Sequence, residues 1–189
     1  MARFLHEPLI ETKFMELSKY ARILLPALAT SMISVSQGQA DTRTILQTHY
    51  DKISRFSINK DSAHLATLIR KNASSTFEYI DSMRNSLDLG ATVRQNTGQL
   101  SKIRKFNADS NKIIGVKAKG YDLILTVKTI YDVFLNYSAG SRITGSSISE
   151  DTWTKTMSGW KIKQSRIIKE SAFQDGKPLK QSVTSTNIQ

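Results

Sequence analysis

Side chains able to do chemistry are sparse in this 189-residue chain, and the absences narrow the field. Cysteine does not occur, so a disulfide framework, a thiolate metal site and a cysteine nucleophile are all excluded. The three histidines are His6, His49 and His64. None stands in HxH or HExxH spacing, so zinc chemistry is not expected. His49 and His64 read as surface or boundary residues. There is no P-loop, no glycine-rich dinucleotide turn and no Ser-His-Asp set, and no cofactor is expected. What remains is "DTWTKTMSGWKIKQSRIIKESAFQDGKPL", Asp151 to Leu179. Its two tryptophans, its lysines and Arg166 could form a nucleic-acid grip, a catalytic wall or plain sheet architecture.

Alternation separates these readings in part. If no bulge intervenes, Trp160, Ile162, Gln164, Arg166 and Ile168 share one face, and Lys161, Lys163, Ser165, Ile167 and Lys169 the other. The lysines read as a solvated face that also discourages edge-to-edge pairing. Trp153 and Trp160 read as sheet-packing residues. Arg166, on the Trp160 face, needs a partner or a wet pocket. It could meet Asp81, bind an anionic ligand, or reach past the strand end into water.

The elements that must carry these residues follow from periodicity. "DTRTILQTHYDKISRF", Asp41 to Phe56, is an amphipathic helix with a cap at Asp41. "INKDSAHLATLI" is a second, shorter helix capped by Asp61. "STFEYID" alternates as a strand, with Phe77, Tyr79 and Asp81 on one face. "SMRNSLDLGATVRQNTG" reads as polar and turn-like, and "QLSKIRKF" as one or two helical turns. From Asn111 the period becomes two, with a turn at Lys119-Gly120. The long strand after it sets Leu123, Leu125, Val127, Thr129, Tyr131, Val133 and Leu135 on one face. "SAGSRITGSS" reads as a loop whose glycines are ordinary loop residues. Two final strands join at Ser158-Gly159, and a polar tail follows. Helices first and antiparallel strands after imply an α+β fold, with helices packed on one face of a curved sheet.

The first forty residues do not read as part of that fold. Lys19 and Arg22 precede an apolar run from Ile23 to Val35, and small residues follow to Ala40. That is the layout of a secretory signal cut after about Ala40, with Met1 or Met15 as the start. The expected organisation is an extension and leader over 1–40, a domain over 41–178 and a tail over 179–189. The net charge of +11 favours anionic partners, and removing the leader lowers it by only one. An exported protein meets little nucleic acid, and no nucleic-acid motif accompanies the charge.

The order of elements, with Trp153, Gly159-Trp160, Lys161-Ile162-Lys163 and Asp175-Gly176, resembles the end of the nuclear transport factor 2-like superfamily. Its SnoaL-like and exported branches are the most similar. The resemblance covers about Asp41 to Pro178. It implies a cone-shaped α+β barrel enclosing a pocket, and homodimers formed through the outer sheet face. Tyr79, Trp153, Trp160 and Arg166 would then line the pocket. Ketosteroid isomerase shares this fold, and by resemblance to it Tyr50 and Asp81 would be catalytic, although their spacing here is longer. Asp132 is the nearest candidate for its neutral carboxylic acid, but Lys128 on the same face would favour ionisation.

Three functions are therefore open. The first is an exported domain binding a small apolar or anionic ligand or a partner chain, as a homodimer. The second is an isomerase-, dehydratase- or cyclase-like pocket enzyme, with the Asp81 pKa raised. The third is electrostatic attachment to an anionic envelope surface.

Overall fold

The computed structural model describes residues 40–136 and 141–179. The expected leader before Ala40 and the tail beyond Leu179 lie outside the described residues. The compact folded unit begins at Ile45.

Three helices and seven strands make up the described chain. Helix α1 runs over residues 40–58. Ala40 is already helical and accepts from the Thr44 hydroxyl at 3.0 Å, so Asp41 lies inside the helix rather than capping it. Helix α2, Ser62–Asn72, starts where expected: the Asp61 side chain accepts from His64 N. Strand β1, Ala73–Ile80, follows directly.

The next stretch departs from the sequence reading. Residues expected to be turn-like form a short strand β2, Ser86–Asp88, and a 14-residue helix α3, Leu89–Lys102. Glycine, threonine and asparagine are weak helix formers, so local propensity argues against α3. Tertiary packing overrides it. Asp88 caps the first turn by accepting from Ala91 N at 2.7 Å, and Val93 and Leu100, two turns apart, are both buried. Asn96, Thr97 and Ser101 turn their polar ends back onto the helix carbonyls of Thr92, Val93 and Gly98.

Four long strands build the sheet: β3 Ile103–Lys119, β4 Asp122–Leu135, β5 Arg142–Thr156 and β6 Gly159–Gln174. A two-residue β7, Lys177–Pro178, pairs with β6. The order is β2-β1-β6-β5-β4-β3, and only β1 and β6 run parallel. The expected α+β fold on a mainly antiparallel sheet is what the chain adopts. Arg142 to Ser147, expected in a loop, are strand residues: all pair with β4, and Ile143 to Ser147 pair with β6 as well.

Bulges set which side chains face the helices. Against β4, strand β3 carries an extra residue at Arg104, Asn107 and Ile114. Against β5, strand β6 carries one at Lys163 and another at Ile168. Each bulge adds twist and reverses the in-out phase of the bulged strand. On β3 the helix-facing positions become Ile103, Phe106, Asp109, Asn111 and Ile113. The early spacing of three imitates a helix, which is why "QLSKIRKF" reads as helical turns although Ile103 onward is strand. The face expected for β4 holds: Leu125 and Val127 are buried, and Thr129, Tyr131, Val133 and Leu135 line a cavity.

The core unites α1 with β3, β4 and β5. Leu46, Tyr50, Ile113, Leu125, Val127 and Trp153 are buried together, with Ile53, Leu123, Trp160 and Ile162 packed around them. Gln47 ties α1 to β3 as a strand would, donating to Asn111 O at 2.8 Å and accepting from Ile113 N at 2.9 Å. Gly145 is not an ordinary loop residue. It faces Tyr131 across the β4–β5 pair, and a Cβ there would fall on the phenol ring and 2.6 Å from the Ser171 carbonyl oxygen. Gly145→Ala should therefore lower unfolding free energy by about 1–3 kcal/mol in urea titration, since the strand has no room to yield.

Candidate active site and ligand pockets

The most buried polar group of the domain is a relay between α1 and β5. Trp153 Nε1 donates to Tyr50 Oη at 3.0 Å, and Tyr50 donates to Asp151 Oδ2 at 2.5 Å. The other carboxylate oxygen accepts from Ser165 Oγ at 2.7 Å. Asp151 is 4% exposed. Burial raises its pKa, against the opposing bonds from Tyr50, Ser165 and Ser149. Burial and the adjoining Asp151 charge also push the Tyr50 phenol well above its ordinary value. Asp151 was open to sequence reasoning, since it alternates with Trp153 on one strand and so must share its buried face.

Tyr50 and Asp81 are not brought together. Asp81 sits in the β1–β2 turn, accepting from Met83 N and Asn85 N, each at 2.8 Å, and from Asn85 Nδ2 at 2.9 Å. Burial works to raise its pKa, but these bonds outweigh burial and hold it below the ordinary carboxylate value, opposite to the expected rise. Neither residue lines either of the two cavities described below. Asp132 is no neutral acid either: Arg142 donates to both its oxygens, at 2.9 and 2.7 Å, and lowers its pKa.

Arg166 is a further correction. The bulge at Lys163 puts it on the face opposite Trp160, where it pairs with Glu150 at 2.7 Å, half exposed. Tyr79 is half-buried, its phenol pushed up to about 12 by burial and then by the Glu170, Asp81 and Asp151 carboxylates. His64 is exposed and bonds Asp61 at 2.7 Å. His49 is half-buried against Trp153, with ring centroids 5.0 Å apart. Burial and then nearby Lys52 lower its pKa to about 4, so it is a neutral imidazole.

Two cavities flank the core. The first, about 530 Å³ and open to solvent on one side, lies between α1, α2, α3 and the helix-facing side of β3, β4, β5 and β6. Ile53, Leu65, Leu100, Phe106, Val133 and Leu135 supply apolar walls. Four titratable groups line it: Asp109, Tyr131, Glu170 and Lys102. Burial raises the Asp109 pKa to about 6, against a bond from Ser57. Burial and then the Glu170 charge raise Tyr131. Glu170 accepts from Ser82 Oγ at 2.9 Å. Asn111 and Thr129, joined at 2.6 Å, add to the polar wall with Ser57, Asn96 and Gln99. Sequence reasoning missed Asp109 and Glu170 as site residues because each lies past a bulge that displaces it from simple alternation. The second cavity, about 490 Å³, lies between α1, the end of α2 and the β5–β6 hairpin, and includes Trp153 and Trp160.

The shift at Asp109 carries a stability consequence. Below about pH 4 the group is protonated whether folded or not. Above about pH 6 it is ionised in both states, and the fold bears the cost of burying the charge. Stability should thus fall between these limits. Asp109→Asn should remove that slope and add about 1–3 kcal/mol at pH 7.5, allowing for partial exposure, in denaturant titrations across pH.

No protein-family model matches the chain, and no curated protein matches it in sequence. Solved structures do match in fold. A hexachlorocyclohexane dehydrochlorinase of type 2 superposes with a TM-score of 0.58 at 9% identity, over 81% of this chain and 99% of that one. A candidate scytalone dehydratase from Novosphingobium aromaticivorans gives 0.56 at 12% identity, over 82% and 99%. A nuclear transport factor 2-like protein from Salmonella enterica gives 0.54 at 12%, over 79% and 99%. With helices on a curled, bulged sheet around a cavity, this chain has the fold of the nuclear transport factor 2-like superfamily.

Proposed function

We propose that the cavity facing Asp109, Tyr131 and Glu170 binds a small, largely apolar molecule with one hydrogen-bonding end. The observation that carries this reading is the convergence of these three groups on one pocket that also offers an apolar wall, from Ile53, Leu65, Leu100, Phe106, Val133 and Leu135. Such a pocket grips a ligand body by burial and orients it through a few polar contacts. Asp109 is the directing group. When ionised it accepts a hydrogen bond, and its neighbours on the wall are a phenol and a second carboxylate. Two of the structures similar in fold are described as a dehydratase and a dehydrochlorinase, which fits a fold that houses small molecules.

A second reading is favoured by one observation. A carboxyl brought to about 6 by burial is suited to take or give a proton near neutral pH, so the pocket has acid–base capacity at Asp109. In that reading Asp109 fills the role first sought at Asp81. Binding of 2-naphthol, followed by NMR shifts of the Phe106, Val133 and Leu135 resonances, tests both. Affinity should rise as pH passes upward through about 6, as Asp109 ionises and accepts a hydrogen bond from the naphthol hydroxyl. Asp109→Asn should flatten that profile. A pH-independent affinity, or shifts confined to the outer sheet face, would refute the reading.

We also propose that the chain is exported, on the strength of Lys19 and Arg22, the apolar run from Ile23 to Val35, and the small residues ending at Ala40. Fractionation of expressing cells with N-terminal sequencing should find a chain beginning near Asp41 outside the cytosol. An intact amino terminus in the cytosolic fraction would rule this out.

A further inference from the structure

The second cavity differs in charge from the first. Its walls include Lys52 from α1, Lys71 from the end of α2, Lys155 from β5 and Lys161 from β6, and among the described residues no aspartate or glutamate lines it. Among the described residues none of these four lysines makes an ion pair. Lys161 Nζ is anchored on the Lys71 carbonyl oxygen, and Lys155 Nζ lies 5.4 Å from the Trp160 ring centroid. Four lysines from four elements thus line one concavity.

The floor is aromatic and held in place. Trp153 is 1% exposed, donates from Nε1 to Tyr50 Oη, and meets the His49 ring at 5.0 Å, edge to face. Tyr50 is in turn fixed by Asp151. The Trp153 ring therefore cannot rotate without breaking a buried relay. Trp160 packs against the same core from the hairpin. Thr156 Oγ1 donates to Gly159 O at 2.7 Å and closes the turn at the rim. A rigid aromatic base ringed by unpaired cations suits one class of ligand: a planar apolar body with a single anionic group. A concave wall of one charge sign concentrates such ions.

We infer that this pocket, formed by α1, the C-terminal end of α2 and the β5–β6 hairpin, binds a small aromatic carboxylate or phosphate ester. Its planar body would lie against Trp160 and His49, with the buried Trp153 beneath them, and its charge would be met by Lys52, Lys71, Lys155 and Lys161. The site is separate from the Asp109 cavity and shares no lining residue with it.

The chain has only two tryptophans and both line this pocket, so tryptophan emission reports on it directly. The test titrates the full chain with phenyl phosphate, benzoate and the neutral benzyl alcohol. Both anions should change the emission saturably, and benzyl alcohol should bind about tenfold more weakly, the order of one lost charged hydrogen bond. Raising salt to about 0.5 M should weaken the anions and leave the alcohol unchanged. Lys52→Gln with Lys155→Gln, both exposed positions, should cost at least that tenfold, while the paired arginine variants retain binding. Asp109→Asn should leave the titration unaltered, which separates this site from the Asp109 pocket. Equal binding of anion and alcohol, no saturable change, or indifference to the lysine variants would overturn the inference. So would a response to anionic lipid vesicles but not to the free anions, which would make the lysines a membrane contact instead.

Discussion

Two buried hydrogen bonds that meet at Tyr50, one from Trp153 and one to Asp151, hold α1 to the sheet within the core. Asp151 brings a carboxylate into a core otherwise made of Leu46, Ile113, Leu125, Val127 and Trp153. That burial is tolerable only because every side of the group is met, by Tyr50, Ser165 and Ser149. The donor order is also determined. Trp153 can only donate, so Tyr50 must accept from it and pass its own proton toward Asp151. Removing any member would strand another inside the core. The relay thus acts as a register pin, since only one seating of α1 on β5 satisfies it.

The bulges supply the second constraint. A regular sheet of this length would present flat alternating faces. Five extra residues on β3 and β6 twist the sheet and re-aim its side chains. Asp109 and Glu170 are turned toward the helices, and Arg166 is turned away to an exposed pair with Glu150. Gln47 reinforces the curl, because its amide binds β3 backbone groups at Asn111 and Ile113, just before the Ile114 bulge.

Core and curvature together leave two hollows of opposite character. The one under α3 is lined by two carboxylates and a phenol, with Lys102 as its lone lysine. The one beside the hairpin is lined, among the described residues, by four lysines and no carboxylate. The relay contributes directly to the second through Trp153 and braces the helix that walls the first. A strongly basic protein thus concentrates part of its positive charge in a concavity. Lysines on the rest of the hairpin behave differently: Lys163, for example, pairs with Asp122 at 3.1 Å.

Much of the architecture was legible in the residues themselves. Apolar spacing marked α1 and α2, Asp61 announced its cap, and strict alternation from Leu123 to Leu135 identified the face of β4, because these signals depend only on local geometry. Helix α3 was hidden, since its glycines and threonines argue against a helix until Val93 and Leu100 find something to pack against. The candidate sites were hidden for a related reason. A bulge is chosen by neighbouring strands, and the shift of phase it makes reads in the sequence as a helical spacing or as plain alternation, so sequence alone could not tell whether Asp109, Glu170 or Arg166 faced the cavity. Composition and order determined the class of fold and its charge. Only the paired strands decided which titratable groups meet, because that depends on contacts between residues tens of positions apart.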